Sequence, residues 1–313
     1  MEELERGSGL DVELAGIKMK NPVMVASGTF GYGEEAANFV NLDKLGAIVT
    51  KTITLNPREG NPPPRICETA SGMLNSIGLQ NKGVKDFIEQ RLPFLSKFKT
   101  PVIANIAGES IEEFAELAKT LNKQPLVKGL EINISCPNVS HGGMYFGFDP
   151  AATFAVIAAV RKATSLPIIA KLSPNVTDIA MIAKEAEKAG ADGISLINTL
   201  WGMAIDIETW KSKLGMPTGG LSGPAIKPVA VRQVWQVAKA VKIPVIGLGG
   251  IMTGDDAIEF FLAGATAVQV GTANFVDTQA PIKIVDQIKA YLEKNNLGHY
   301  KELVGKVIIS SSL

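Results

Sequence analysis

Eight short apolar runs, rich in β-branched residues, recur along the chain. They occupy residues 22–26, 47–53, 101–106, 129–134, 167–172, 193–197, 244–248 and 267–270. Most are followed by a polar or glycine turn and then by a segment with helical periodicity. Alternating strand and helix units predict a parallel sheet. Eight such units in one chain of this length favour a closed (β/α)8 barrel over an open doubly wound sheet.

The helical pattern is clear at residues 110–121, 150–163, 177–189, 225–241 and 254–263. Ser110, Asp149 and Thr177 are the predicted N-caps of three of these helices. Two helices end in Ala-Gly-Ala, where Gly190 and Gly264 suit a left-handed C-cap. We therefore expect an α/β fold in which residues 1–313 form a single barrel domain.

Three segments fall outside the repeating pattern. Residues 10–20 show two short alternating runs around Ala15-Gly16, which predicts a small N-terminal β-hairpin. Residues 54–82 and 201–224 are insertions, the first with three consecutive prolines and the second with two tryptophans. In a barrel, both would extend loops on the carboxyl-end face, where barrel enzymes keep their active sites.

Composition excludes several classes of function. The 313 residues include 31 basic and 31 acidic side chains, so nothing in the net charge indicates nucleic acid or an anionic membrane as a partner. Two cysteines without a CxxC pair argue against a disulfide framework or an all-cysteine metal site. The acidic N-terminus does not resemble a signal peptide, and no apolar run reaches the length of a membrane span. We expect a cytoplasmic protein.

Polar residues or glycines stand at the carboxyl end of every predicted strand. In chain order they are Ser27, Lys51, Asn105, Asn133, Lys171, Asn198, Gly249-Gly250 and Gly271-Thr272. Burying such groups unpaired would cost about 1–3 kcal/mol each. A ligand that satisfies them is one explanation, and pairing with one another and with water is the other.

The nature of that ligand follows from the last strand ends. Glycines after the seventh and eighth strands of a barrel often bind phosphate through backbone N–H groups. Lys51 and Lys171 are either salt-bridged structural residues or cations that neutralise an electron-rich ring or a substrate carboxylate. A flavin fits this combination. No Gly-x-Gly-x-x-Gly motif follows a strand, so a Rossmann-type nicotinamide or FAD site is not expected, and two cysteines cannot ligate an iron–sulfur cluster alone.

One of the two cysteines, Cys136, follows the strand predicted at 129–134. Pro137 has no N–H for the strand ladder and ends it there, and Asn133 and Asn138 lie on either side of the thiol. A thiol between neutral amides suits proton transfer next to a polar, uncharged substrate. The alternative is a buried structural cysteine in a capped turn.

Six segments resemble class 1 dihydroorotate dehydrogenases in a consistent order over residues 10–280. They are NSIGLQN at 75–81, NISCPN at 133–138, KLSPN at 171–175, INT at 197–199, GGLSGP at 219–224 and GTANF at 271–275. The sequences of the first two segments are more similar to the NAD-linked 1B catalytic subunit than to the fumarate-linked 1A homodimer. A cysteine at position 136, where membrane-linked class 2 relatives have serine, also indicates class 1.

The resemblance implies FMN-dependent oxidation of (S)-dihydroorotate to orotate in pyrimidine synthesis. Cys136 would be the base that removes the proton from C5, while hydride leaves C6 for the flavin. The substrate would be held by Lys51, Asn75, Ser76, Ile77, Gly78, Leu79, Asn133, Asn138, Asn198 and Thr199. FMN would be held by Ser27, Lys51, Thr52, Asn105, Asn133, Lys171, Ile197, Gly223, Gly249, Gly250, Gly271 and Thr272. No metal is expected.

The 1B resemblance also implies a second subunit, which carries FAD and a [2Fe–2S] cluster and passes electrons to NAD⁺. Two copies of this chain would form a homodimer within a heterotetramer. The glycine-rich segment 140–149 is predicted to be a mobile lid that excludes water, with His141 as a lid or surface residue. Cys67 has no motif around it and is interpreted as structural or incidental.

Other functions remain open at this point. A fumarate-linked 1A enzyme would also lack nicotinamide and cluster motifs. A dihydropyrimidine dehydrogenase-type barrel uses FMN and a cysteine base, but its substrate has no carboxylate and should not need the pattern at 75–79. A sugar-phosphate isomerase or aldolase and a non-catalytic binding barrel are more distant alternatives.

Overall fold

The computed structural model describes residues 9–134 and 146–309. In this part of the chain the strands, in order, are β1 (Val12–Leu14), β2 (Ile17–Met19), β3 (Val23–Val25), β4 (Ala47–Val49), β5 (Ile66–Thr69), β6 (Gly72–Asn75), β7 (Val102–Ile106), β8 (Val127–Asn133), β9 (Ile168–Lys171), β10 (Gly193–Leu196), β11 (Leu200–Gly202), β12 (Ile205–Asp206), β13 (Lys211–Ser212), β14 (Gly219–Ser222), β15 (Val245–Leu248) and β16 (Ala267–Val270).

The α-helices are α1 (Gly83–Asp86), α2 (Leu92–Leu95), α3 (Ile111–Leu121), α4 (Pro150–Ala163), α5 (Ile179–Lys188), α6 (Lys227–Ala238), α7 (Gly254–Ala263), α8 (Ala273–Val276) and α9 (Ala280–Lys294). A π-helical turn, Phe87–Arg91, joins α1 to α2. Short 3-10 helices occupy Ala36–Asn38, Leu42–Lys44, Pro224–Ile226 and Tyr300–Leu303. None of the helices in the described residues has the length and apolarity needed to cross a bilayer.

Among the described residues, eight parallel strands close into a barrel in the order β3-β4-β7-β8-β9-β10-β15-β16. Each of the eight predicted apolar runs overlaps one of these strands, so the predicted barrel is confirmed. The strands are apolar because the barrel interior covers one face and the helices cover the other. Neighbouring strands are in register at their carboxyl ends, as the pair Asn133 and Lys171 on β8 and β9 shows.

Helix termini follow the predicted capping chemistry with one correction. The Ser110 side chain accepts from the backbone N–H of Glu113, and the Asp149 side chain accepts from that of Ala152. The prediction of Thr177 as the third N-cap is wrong. Asp178 takes that position because its carboxylate accepts from the N–H groups of both Ala180 and Met181, at 2.9 and 3.2 Å.

The predicted N-terminal hairpin is present as the antiparallel pair β1 and β2. It packs at the amino-end side of the barrel, where Ile17 lies so close to Gly129 that an added Cβ on the glycine would be 2.8 Å from Ile17 Cδ1. Glycine at the start of β8 therefore allows the hairpin to close this end.

The two insertions are more ordered than the sequence pattern predicted. Instead of separate loops, they combine into a four-stranded antiparallel sheet with the order β11-β14-β6-β5. Leu74 on β6 pairs with Leu221 on β14, nearly 150 positions later in the chain. The second insertion also forms a small hairpin, β12 and β13. Both insertions lie on the carboxyl-end side, as expected.

Candidate functional site

A cavity of about 650 Å³ opens at the carboxyl ends of the barrel strands, next to the four-stranded sheet. Most of the residues predicted from the strand ends and motifs line it together. They are Ser27, Lys51, Thr52, Asn75, Ile77, Gly78, Leu79, Asn133, Lys171, Ile197, Asn198, Thr199, Gly223, Gly249, Gly250, Gly271 and Thr272. A volume of this size suits a small molecule or cofactor.

Four predicted site residues have a different status. Ser76 is fully buried behind the cavity wall, where its backbone N–H donates to Arg65 O at 2.8 Å. Asn105 is also fully buried and directs its amide to Glu131. Cys136 and Asn138 lie outside the described residues, as does most of the predicted lid. At the end of that segment, Phe146 is buried against Phe114, with ring centroids 5.9 Å apart.

The inner end of the cavity carries a buried cation. Lys171, at the end of β9, donates from Nζ to Ser27 Oγ at 3.3 Å. The same Nζ lies 3.5 Å from Oε1 of Glu131, which is completely buried. Burial of an ammonium group is tolerated when it is paired and hydrogen-bonded in this way. Lys171 is thus both salt-bridged and exposed to the cavity, which combines the two interpretations that the sequence left open.

Glu131 and Gln269 are the residues of this region that the sequence reasoning missed. Gln269 Nε2 donates to Glu131 Oε2 at 2.9 Å from β16, across the barrel interior from β8. The available signal was a charged residue inside an apolar run, two positions before Asn133 and therefore on the same inward face.

Glycines form one wall of the cavity at the ends of β15 and β16. Gly249 and Gly250 have φ values of +124° and +77°, which side chains rarely adopt. An added Cβ on Gly250 would lie 2.7 Å from Lys227 Cβ and 2.9 Å from Gly223 O. At Gly271, by contrast, an added Cβ would meet only Ala26 Cβ, at 3.7 Å. These glycines keep backbone N–H groups accessible, as a phosphate site requires.

Lys51 supplies a second cation to the cavity lining, after β4. Its backbone N–H donates to Gly31 O at 2.8 Å, which fixes its position beside the loop that follows β3. Burial lowers the pKa of the Lys51 ammonium, while the charge of Glu35 opposes the shift and that of Arg65 adds to it. A partly desolvated ammonium binds a carboxylate more strongly than an exposed one does.

The segment after β6 forms a sharply bent wall. Gly78 and Leu79 both have positive φ, +75° and +57°, and Leu79 is one of few non-glycine residues with this conformation. An added Cβ on Gly78 would lie within 2.7 Å of Asn61. Asn75 Nδ2 donates to Gly220 O at 3.3 Å and links this wall to β14. The bend presents the backbone of residues 77–79 to the cavity.

The segment after β10 adds amide groups to the same cavity. Asn198 N donates to Leu172 O, and the Asn198 side chain accepts from Thr199 N at 2.8 Å. Asn175, from the KLSPN segment, donates to Thr199 O at 3.0 Å and accepts from Trp201 N at the same distance. These bonds hold Asn198 and Thr199 at the cavity wall.

The site therefore combines two lysines, several amides and a glycine wall. A phosphate suits the glycine wall, an electron-rich ring suits the buried ammonium of Lys171, and a carboxylate suits Lys51. This arrangement fits two ligands in one cavity, a phosphate-bearing cofactor and a small polar anion.

Comparison with known proteins supports the same conclusion. The family model for dihydroorotate dehydrogenase matches residues 9–292. A relative from Geobacter metallireducens, named dihydroorotate dehydrogenase B (NAD(+)), catalytic subunit, is 62% identical over 296 residues, covering 95% of this chain and 97% of its own. A relative of the same name from Caldicellulosiruptor saccharolyticus is 56% identical over 96% of this chain and 99% of its own.

A solved structure agrees at the level of the fold. The crystal structure of DHODH from Eimeria tenella in complex with ferulenol superposes with a TM-score of 0.81 at 25% identity, over 98% of this chain and 90% of that one. The resemblance to class 1B enzymes that the sequence motifs indicated is confirmed by the curated relatives. This chain belongs to the dihydroorotate dehydrogenase family.

Proposed function

We propose that this chain is the catalytic subunit of an NAD-linked dihydroorotate dehydrogenase, which oxidises (S)-dihydroorotate to orotate in pyrimidine biosynthesis. The observation that carries the proposal is the meeting of Lys51, Lys171 and the glycine wall around one cavity. The names of relatives 56–62% identical over nearly the whole chain support the reaction and the acceptor.

FMN is the cofactor that fits the cavity. The open space at Gly271 and the positive φ of Gly249 and Gly250 leave room for a phosphate against backbone N–H groups. Lys171 offers an ammonium to the electron-rich ring, and Ser27, Thr52, Ile197, Gly223 and Thr272 complete the walls. When bound, FMN supplies the acceptor for the hydride from C6 of the substrate.

The remaining walls bind and orient the substrate. Lys51 pairs with the carboxylate of dihydroorotate, and the backbone of residues 77–79 together with Asn75, Asn198 and Thr199 hydrogen-bonds its polar edges. Asn133 and Asn138 belong to the same proposed set by their motif. These contacts fix the orientation of the ring, so that C5 faces the proposed base and C6 faces the flavin.

Cys136 is the proposed general base. Its thiolate takes the proton from C5 as hydride leaves C6, and the electrons of the C5–H bond form the C5–C6 double bond of orotate. An ordinary cysteine thiol titrates at about 8.5, so the reaction should accelerate as pH rises toward that range. The segment 140–149 is the proposed lid over this step.

Electrons leave through a partner subunit that carries FAD and a [2Fe–2S] cluster. Apolar side chains stand exposed at the rim of the cavity, where Phe39, Ile66 and Phe275 are each about 60% exposed. Exposed apolar side chains at the rim of one cavity support docking of another protein there. A second exposed group, Ile205, Ile207 and Trp210 around the β12–β13 hairpin, supports contact with another copy of this chain in a heterotetramer.

A cytoplasmic location is part of the same proposal, since two cysteines without a disulfide framework suit a reducing compartment.

One set of measurements tests the proposed function. The purified chain should be yellow with flavin absorbance, and it should oxidise dihydroorotate. With the FAD and iron–sulfur subunit added, NAD⁺ should serve as acceptor, while fumarate should be a poor acceptor for the chain alone. Cys136→Ala should bind FMN but lose activity by about 10²–10⁴-fold near neutral pH.

Three results would contradict the proposal in different ways. A colourless chain that cannot be reconstituted with FMN would exclude the flavoenzyme. Rapid fumarate reduction by the isolated chain would place it with the 1A enzymes. Wild-type turnover by Cys136→Ala would remove the assigned base.

A further inference from the structure

A carboxylate lies beneath the cavity that the proposed reaction does not use. Glu131 on β8 is 0% exposed and does not line the cavity. Asn105 Nδ2 on β7 donates to its Oε1 at 3.0 Å, and Gln269 Nε2 on β16 donates to its Oε2 at 2.9 Å. The third partner is Lys171 Nζ, 3.5 Å from Oε1.

In these contacts the Glu131 carboxylate acts only as an acceptor. Both neighbouring amides turn their nitrogen to the carboxylate, and their oxygens, Asn105 Oδ1 and Gln269 Oε1, have no hydrogen-bond partner among the described residues. A neutral carboxylic acid would instead donate its proton to one of those oxygens. The orientation of the amides thus follows the requirements of a negative charge.

The two charges lie at different depths relative to the cavity. Lys171 lines the cavity and bonds to Ser27 at its edge, whereas Glu131 lies behind it, away from the cavity. The side chains are 6% and 0% exposed, so water screens neither charge. A ligand in the cavity therefore senses the cation at short range and the opposing carboxylate a few ångströms further away.

We propose that Glu131 is a positioning residue which limits, through Lys171, how strongly the site favours negative charge on a bound flavin ring. A flavin gains negative charge when it is reduced, and a nearby cation stabilises the reduced form. The carboxylate behind Lys171 offsets part of that stabilisation and keeps the reduction potential lower than the lysine alone would set it. This inference rests on the proposed binding of FMN.

The reduction potential of FMN in four full-length proteins tests the inference. They are the wild type, Glu131→Gln, Lys171→Met and the double variant. Glu131→Gln removes the negative charge with little change in shape, so it should shift the equilibrium toward reduced flavin about tenfold, or about 30 mV for a two-electron couple. Lys171→Met should shift it the other way, and the double variant should lie between the two.

Sulfite affinity provides a readout that needs no turnover. Sulfite adds to oxidised flavin and leaves a negative charge on the ring, so it should bind about tenfold more tightly to Glu131→Gln than to wild type and more weakly to Lys171→Met. Gln269→Met is the matched control, because it removes a hydrogen bond from Glu131 but changes no charge. In this variant the reduction equilibrium of FMN and the sulfite affinity should both stay within about threefold of wild type, which is about 15 mV for the two-electron couple.

Each alternative outcome has a distinct meaning. If loss of Glu131 lowers the potential or leaves it unchanged, both alone and in the Lys171→Met background, the carboxylate is not a counter-charge and the inference fails. An equal shift in Gln269→Met would also overturn it. If Glu131→Gln does not fold, the double variant is compared with Lys171→Met instead, because removing both buried charges is often tolerated.

Failure of both Glu131 variants to fold would make the carboxylate a structural requirement and overturn the inference. A wild-type chain that binds no FMN would overturn the proposed function and this inference together. Bound FMN with an unresponsive potential would overturn the inference alone.

Discussion

Asn81 and Thr54 each donate a hydrogen bond to the other. Asn81 Nδ2 donates to Thr54 Oγ1 at 2.8 Å, and Thr54 N donates to Asn81 Oδ1 at 3.3 Å. Asn81 also donates to Leu79 O and accepts from Gly83 N, both at 2.8 Å. Since Thr54 follows Ile53, which pairs with Ile106 on β7, this buried amide ties the bent cavity wall to the barrel.

Replacing Asn81 should therefore affect substrate binding through the position of Leu79. Asn81→Ala leaves buried N–H groups unpaired and should lower the free energy of unfolding by about 1–3 kcal/mol. Leu79 then loses the bond that holds its unusual conformation, so the KM for dihydroorotate should rise about tenfold. Steady-state kinetics and thermal unfolding of the FMN-loaded enzyme check both effects.

Asn122→Ala is the matched control for this prediction. The Asn122 side chain accepts from Thr164 Oγ1 and Ser165 N, at 2.6 and 2.9 Å, in the turns that precede the barrel strands. The Asn122→Ala variant should lower the free energy of unfolding without changing the KM for dihydroorotate. Equal changes in KM for the two variants would show that Asn81 acts only through general stability.

The barrel and much of the cavity could be predicted from the sequence because both depend on local pattern. A strand buried on two faces must be apolar along its whole length, and its carboxyl end can be recognised where the apolar run stops. Lys51, Lys171 and Gly271 were located in this way, and all three line the cavity.

The remaining features depend on contacts between distant segments. The pairing of β6 with β14 could not be predicted, since short strands of mixed character gain their stability only from each other. Asn105 is predicted to hold FMN, and that role stays a prediction. The structure adds a contact that the strand end did not indicate, since Asn105 is the register partner of Glu131 and its amide nitrogen is directed to that carboxylate. A strand end alone does not show which of its neighbours a side chain will meet.

The lowered pKa of Lys51 predicts how orotate affinity depends on pH. Burial brings the pKa of this ammonium below its usual value of 10.5, so the charge is present below the lowered pKa and is lost as pH rises through it. Orotate keeps its carboxylate ionised throughout. Its affinity for the FMN-loaded enzyme should fall as pH rises through this lowered pKa, at a lower pH than an exposed lysine would require, as measured by the change in flavin absorbance.

Two variants separate Lys51 from other titrating groups. Lys51→Arg keeps its charge through the alkaline range, so orotate affinity should lose this pH dependence. Lys51→Met should bind orotate weakly at every pH. A wild-type pH profile that persists in both variants would assign the dependence to another group.

Gly271 offers a test of the phosphate site that leaves the fold intact. Its backbone does not have positive φ, and an added Cβ would make only an ordinary contact with Ala26. Gly271→Ala should therefore unfold at the wild-type temperature without FMN. If the phosphate lies against this glycine, FMN should bind at least about tenfold more weakly, a loss of about 1.4 kcal/mol.

Calorimetric titration of the FMN-free chain measures this affinity directly. Gly298→Ala is the control, because its Cβ would meet only Glu302 Oε1 at 3.4 Å, away from the cavity. Wild-type FMN affinity in Gly271→Ala would place the phosphate elsewhere in the cavity.

Tyr300 should determine stability without affecting the chemistry. It is fully buried near the amino-end side of the barrel, its hydroxyl donates to Thr266 O at 2.9 Å, and its ring lies 5.1 Å from that of Phe261. Tyr300→Phe removes one hydrogen bond and should lower the free energy of unfolding by about 1 kcal/mol, whereas Tyr300→Ala also leaves a cavity and should cost about 3–5 kcal/mol.

Because the hydroxyl and ring of Tyr300 contact Thr266 and Phe261, which do not line the cavity, kcat per bound FMN should stay at the wild-type value in both variants at temperatures where they are folded. Tyr291→Phe on α9 is the control, since its partly exposed side chain should change stability by less than about 0.5 kcal/mol. Denaturant unfolding and activity normalised to flavin content measure the two quantities separately. A loss of kcat in Tyr300→Phe that exceeds its loss of folded protein would show that the closed end of the barrel influences the site at the other end.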